Sequence, residues 1–280
     1  EEAESEQKGL IDQTRDIPKI LYTGGAGTGK TFLALSKAKL AAEDNKRVLF
    51  LGPNPYFINN IRYSEEFQNL DKLIYFASPA GLYNSLIGLD TNILYERIKD
   101  VQKNYQDLDA KLQDDAVQGM WNMMVEAAIW SMPLIKSDTQ TLFERQYLPR
   151  IEEAIEKLYE NRKLDEEKHL FDYIIIDEAQ DFSVSFINSI QLLLRNSNQG
   201  ISLFMDNNQR IKSGEREDLY EEFKNQGFQP INLNKNYRNT KSIYRLSKNF
   251  YEGDKMTCSG PEGMKVKFVE AESPFEIKLK

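Results

Sequence analysis

Short runs of aliphatic, β-branched and aromatic residues, bounded by Gly, Pro, Asn or Asp, recur at residues 20–23, 48–51, 73–76, 173–176 and 201–204. Apolar and polar positions do not alternate within them; the runs are continuously apolar, as expected of strands buried on both faces of a parallel sheet. Helical patterns separate several of these runs, so the spacing predicts a layered α/β domain. Between the third and fourth runs the strand signal vanishes. There Leu94, Ile98, Val101, Tyr105, Leu108 and Leu112 follow one another at intervals of 4, 3, 4, 3 and 4, and Ile151, Ile155 and Leu158 form a second stripe beyond Pro149. Both stripes have the period of amphipathic helices. They predict an inserted helical subdomain whose apolar faces pack on one another, with a partner-binding coiled coil as the other reading. After Tyr237 the pattern changes to a short helix through Ile243 and Leu246, a Gly-rich turn at residues 259–263 and a strand candidate at 266–269, which reads as the opening of a second domain.

Composition narrows the classes. A chain of 280 residues with 40% hydrophobic content can bury a substantial core. With 36 basic against 44 acidic residues the net charge is -8, so any nucleic-acid contact is expected in a local groove and not over a basic coat. One cysteine, Cys258, and one histidine, His169, exclude an internal disulfide, a Cys/His metal cluster and a His-centred triad. No apolar run approaches the roughly 20 residues of a membrane span, and the acidic start is unlike a secretion signal, so the expected location is cytoplasmic and without membrane contact. The chain begins at Glu1, not Met, which is expected of a processed chain or of a piece of a longer one.

Gly24-Gly25-Ala26-Gly27-Thr28-Gly29-Lys30-Thr31 fits G-x-x-x-x-G-K-[ST] at every position, follows a predicted strand and precedes a helix-forming run. In such a loop backbone N–H groups curl around phosphates at the positive end of a helix. Lys30 is expected to reach the β- and γ-phosphates and the Thr31 hydroxyl to ligate Mg2+, the nucleotide being ATP. The run 173–176 ends in Asp177-Glu178-Ala179-Gln180-Asp181. At the carboxyl edge of a parallel sheet this cluster is expected beside the phosphate loop, with Asp177 on the metal and Glu178 deprotonating the attacking water. Seen alone, such acidic residues read more often as a solvated turn; after a phosphate loop the preference reverses.

Taken together, the phosphate loop and Asp-Glu-Ala-Gln-Asp resemble the superfamily 1 helicases of the UvrD/Rep type. Met205-Asp206-Asn207-Asn208-Gln209 is similar to the family's G-D-x-x-Q, with Met205 in place of glycine, and implies that Gln209 senses the γ-phosphate. Asn236-Tyr237-Arg238 resembles the N-Y-R motif at the start of the second motor domain, which implies Tyr237 stacked on adenine and Arg238 at the γ-phosphate. Gln7 resembles the glutamine that reads the adenine edge; a solvated helix residue is the alternative. After the second strand, Asn54, Tyr56 and Phe57 occupy the place of a single-strand contact motif. The family's T-F-T-N is absent, its T-x-H segment reads Phe76-Ala77-Ser78-Pro79, and Arg210-Ile211-Lys212-Ser213 replaces its aromatic tail. The resemblance thus implies a divergent ATP-dependent helicase or translocase acting on single-stranded nucleic acid, DNA ahead of RNA.

The implied architecture is a RecA-like P-loop NTPase sheet flanked by helices: motor domain 1A over residues 1–83 and 171–235, a 1B-like helical insertion over 84–170, and the start of a truncated second motor domain over 236–280. Two other functions use parts of the same signal. A small-molecule kinase or nucleotide switch needs the loop but not Gln180, Gln209 or Asn236-Tyr237-Arg238. A recruitment module would dock a nuclease domain or subunit on the helical insertion, with ATP as regulator.

Overall fold

The computed structural model describes residues 2–86, 148–196, 200–206, 219–248 and 256–266. Six parallel strands, β1 (Lys19–Gly24), β2 (Val48–Leu51), β3 (Ile74–Ala77), β4 (Tyr173–Ile176), β5 (Gly200–Met205) and β6 (Gln229–Leu233), form one sheet in the order β3-β2-β4-β5-β1-β6. The five apolar runs are its first five strands. The sixth lies at the edge beside β1, in parallel register from Ile20 opposite Gln229 to Gly24 opposite Leu233.

Alternate residues of each strand enter opposite layers. Ile20, Tyr22, Val48, Phe50, Ile175 and Phe204 face α2 (Lys30–Glu43) and α3 (Pro55–Arg62). Leu21, Leu49, Leu51, Ile174, Ile176 and Leu203 face α4 (Pro79–Leu86), α5 (Leu148–Glu160) and α6 (Val184–Gln191). The strands are therefore apolar throughout because both their faces are covered. Ala34, Ala38, Ala41 and Ala42 keep α2 thin on its buried side. That brings its first turn, where the phosphate loop ends, close over the sheet. Tyr22 and Phe204, opposite each other on β1 and β5, stack at 4.6 Å between ring centroids.

The second helical stripe is observed on α5, where Ile151 and Ile155 are buried against the sheet layer and Leu158 packs beside them. The first stripe, from Leu94 to Leu112, lies outside the described residues, as does most of the expected insertion at 84–170. α1 (Glu2–Gln13) precedes β1, and α7 (Leu219–Asn225) precedes β6. Beyond β6 the chain forms a two-stranded parallel pair, β7 (Lys235–Asn236) with β8 (Thr257–Cys258), and α8 (Lys241–Ser247), capped by Thr240. The strand candidate at 266–269 falls outside the described residues but for Val266, which is not in a strand. Among the described residues no helix is long and apolar enough to cross a membrane.

Candidate functional site

The loop from Gly24 to Lys30 leaves the carboxyl end of β1 and turns into α2. Gly27 and Gly29 have φ of 83° and 85°, backbone that an L side chain adopts only with strain, and Gly29 is the residue from which α2 starts. A Cβ on Gly29 would stand 2.1 Å from Gln7 Nε2, and one on Gly24 would stand 2.8 Å from the Leu233 carbonyl oxygen. These glycines therefore serve close approach as well as conformation. Gln7 donates to the Thr28 carbonyl at 3.4 Å and is buried, so it is not the solvated helix residue of the alternative reading.

Lys30 is buried, and its ammonium donates to the Gly24 and Gly25 carbonyls at 2.7 and 3.1 Å. Its counter-charge is Asp206, 1% exposed, with Oδ2 at 3.6 Å from Nζ. Asp177 ends β4. β5 stands between β4 and β1, so Asp177 is not on the strand next to the loop. It nevertheless bonds the Thr31 hydroxyl, which the first turn of α2 carries over the sheet. Burial, and then the adjacent Glu178 charge, raises the Asp177 carboxyl to about 6, against the opposing effects of Thr31, the Glu178 N–H and Lys30.

Glu178 follows at φ 51°, one of the non-glycine residues in the left-handed region. Holding an L residue there costs on the order of 1–2 kcal/mol, a strain typical of residues whose position serves chemistry. Gln180, in the one-turn 3-10 helix Ala179–Asp181, fixes its carboxylate: Nε2 donates to Glu178 Oε2 at 2.6 Å. The same amide accepts the Asp206 backbone N–H through Oε1 at 3.0 Å. One nine-tenths-buried side chain thus ties the Glu178 carboxylate to the end of β5, whose Asp206 in turn faces Lys30. Gln180→Glu keeps the acceptor for Asp206 but sets a second carboxylate against Glu178. It is expected to lower kcat of nucleotide hydrolysis by about tenfold or more with little change in KM. Equal losses in Gln180→Glu and Gln180→Met, or a change confined to KM, would count against this role.

Arg238 is exposed, directly after Tyr237, whose backbone N–H donates to the Gly27 carbonyl at 2.9 Å. Tyr237, Gln7, Glu6, Leu10 and Asn232 are among the residues lining a pocket of about 410 Å3 that adjoins the loop at Thr28. The Tyr237 hydroxyl donates to Glu6 Oε2 at 2.5 Å, and Lys235 pairs with Glu6 Oε1 at 2.6 Å, which holds the Glu6 carboxyl below its ordinary value. Gln209 lies outside the described residues. Asn54 caps α3 by accepting from the Tyr56 and Phe57 N–H groups, and Phe57 packs on the core, so of these three Tyr56 is the freely exposed aromatic, at 58%. Asn236, Asp206 and Glu6 join the site without a sequence signal of their own, although the first two stand inside the motifs at 236–238 and 205–209.

The donor set fits the phosphate chain of a nucleotide with magnesium. The glycine cradle admits no Cβ, a buried ammonium stands at its mouth, and a hydroxyl and a carboxylate meet beside it. Among the described residues no group of three or more His, Cys, Asp or Glu could hold a metal by itself. The sequence profile of the AAA domain family, P-loop NTPases found in UvrD/Rep-like helicases, matches residues 7–215. The chain belongs to the AAA domain family. No curated protein matches it. The match of this AAA domain starts at Gln7, which touches the loop, and includes both carboxylate-bearing strand ends. The six-stranded parallel sheet, five of whose strands fall within the matched residues, is the P-loop NTPase architecture, and nucleotide hydrolysis is the activity that goes with it.

Proposed function

We propose that the chain is the ATP-binding motor portion of a superfamily 1, UvrD/Rep-like helicase or translocase. It hydrolyses ATP to move on single-stranded nucleic acid, DNA ahead of RNA, in the cytoplasm. One observation carries the reading beyond a generic nucleotide domain. Asn236-Tyr237-Arg238 is hydrogen-bonded to the phosphate loop through Asn236 Nδ2 to the Ala26 carbonyl at 2.8 Å and the Tyr237 N–H to the Gly27 carbonyl. A kinase or simple switch has no need of such a segment, whereas a motor needs the start of its second domain at the nucleotide. In this reading residues 236–280 open that domain, and the inserted subdomain falls within 84–170 but excludes α5, whose apolar face packs on the motor domain's sheet layer.

Lys30 and the loop N–H groups bind the phosphates, and Thr31 and Asp177 hold Mg2+. Bound magnesium draws charge from the β- and γ-phosphate oxygens. Water attacks the γ-phosphorus in line, the bond from that phosphorus to the β–γ bridging oxygen breaks, and Glu178 takes the water's proton. Arg238 and Gln209 meet the charge that develops on the transferred group, and Tyr237 stacks on the adenine, whose edge Gln7 reads. The pocket shared by Tyr237 and Gln7 supports that assignment.

The test is ATP hydrolysis by the complete protein with and without single-stranded DNA and RNA. Stimulation by strands is expected, greater with DNA; no stimulation by either would leave a nucleotide switch as the better reading. In the same assay Tyr237→Ala should raise KM for ATP more than Tyr237→Phe, because stacking needs the ring and not the hydroxyl. Equal effects would contradict stacking and point to the Glu6 hydrogen bond instead.

A further inference from the structure

Three consecutive carbonyls of the phosphate loop are held from outside it. Asn236 Nδ2 donates to Ala26 at 2.8 Å, the Tyr237 N–H to Gly27 at 2.9 Å and Gln7 Nε2 to Thr28 at 3.4 Å. In a planar trans peptide the carbonyl and the following N–H point in opposite directions. A carbonyl tied outward therefore turns the next N–H the opposite way, those of Gly27 and Gly29 toward the concave side of the loop, while the Thr28 N–H donates to the Gly25 carbonyl at 3.4 Å. Asn236 is the most constrained of these anchors. It is 1% exposed, and its other amide atom, Oδ1, accepts the Asn239 N–H at 3.0 Å, so rotating the side chain breaks both bonds. A Cβ on Gly27 would stand 2.8 Å from Asn236 Nδ2, so the glycine there also admits Asn236.

The other side of Asn236 belongs to the segment beyond β6. Its carbonyl accepts the Ser259 N–H at 3.0 Å, the Asn234 carbonyl accepts the Thr257 N–H at 2.7 Å, and the Cys258 thiol donates to the Asn239 carbonyl at 3.3 Å. The loop and the β7–β8 pair thus share one residue, which both reach by direct hydrogen bonds.

We propose that Asn236 is a positioning residue with two effects: it orients the loop N–H groups for the phosphates of a nucleoside triphosphate, and it makes the β7–β8 segment respond to their arrival. The inference rests on the nucleotide-site reading above and adds the route by which occupancy is transmitted.

Hydrogen exchange on the full chain, with and without magnesium and a non-hydrolysable ATP analogue, tests the transmission. Slower exchange at residues 235–240 and 257–259 is expected with the analogue, and unchanged exchange there at saturation overturns the proposal. Equilibrium titration with a fluorescent ATP analogue tests the orientation. Asn236→Ala and Asn236→Asp should each weaken binding by on the order of tenfold and reduce the slowing at 257–259. Asn236→Asp should be the worse, because it keeps the acceptor for Asn239 but sets a carboxylate against the Ala26 carbonyl. A merely structural role would lower the unfolding temperature and leave the affinity of the folded protein as it was. Binding by both variants equal to that of the unchanged chain overturns the proposal alone. If the unchanged chain binds no nucleotide, the functional reading falls and this inference with it.

Discussion

Glu178→Gln is expected to bind nucleotide within about threefold of the unchanged protein and to turn it over on the order of 10²–10⁴-fold more slowly, the range for losing a positioned general base. The amide keeps an oxygen that can accept from Gln180 Nε2, so the turn at φ 51° and its tie to β5 survive the change. The proton acceptor is what disappears. Asp177, with its bond to Thr31, is untouched, and the proposed metal ligands remain. Lys30→Ala must behave differently. It removes a buried cation held at 2.7 Å from the Gly24 carbonyl and 3.6 Å from Asp206, leaving Asp206 buried without that counter-charge. Affinity and turnover should both fall, and stability with them, since Asp206 stays buried while its ion pair with Lys30 is lost. Steady-state hydrolysis beside equilibrium titration and thermal unfolding separates the two variants. Near-normal turnover in Glu178→Gln would remove Glu178 from the chemistry.

How far the sequence reaches depends on where each signal originates. Strands β1 to β5 are legible because burial on both faces forces continuous apolar runs, and β2 and β4 fall on the expected residues. β6 is not legible. Its sequence Gln229-Pro230-Ile231-Asn232-Leu233 is polar and half-exposed, and Pro230 lacks an N–H, which only an edge position tolerates. The phosphate loop is legible because its chemistry demands glycines and a lysine at fixed spacing within one turn of chain. Asn236 was not assigned a role because its partner, Ala26, lies 210 residues away and becomes a neighbour only when β6 pairs beside β1. Asp206 reaches Lys30 for a similar reason: β5 inserts between β1 and β4 and delivers a carboxylate where continuity along the chain predicts only Asp177 and Glu178.

Asp177 carries a pH dependence because its carboxyl is buried beside Glu178. Its folded value of about 6 lies above the unfolded value of 3.8, so the folded protein holds the proton more tightly than the unfolded chain does. The stability this contributes is complete below the unfolded value and is lost as pH rises through about 6. Without nucleotide and magnesium, the loss should be on the order of 2–3 kcal/mol between roughly pH 4 and pH 7, at about 1.4 kcal/mol per unit. Asp177→Asn cannot ionise and so should escape it. At pH 7.5 the variant is expected to unfold several degrees above the unchanged protein, at about 2–4 °C per kcal/mol, with the difference vanishing or reversing near pH 4. Addition of magnesium and an ATP analogue should then invert the order, because only the unchanged protein gains from metal ligation in proportion to its occupancy. Urea unfolding at a series of pH values measures both arms. Parallel stability curves for the two proteins across that range would show that the buried charge is not borne by Asp177, and stabilisation of both by magnesium nucleotide to the same extent would take this carboxylate out of the metal site.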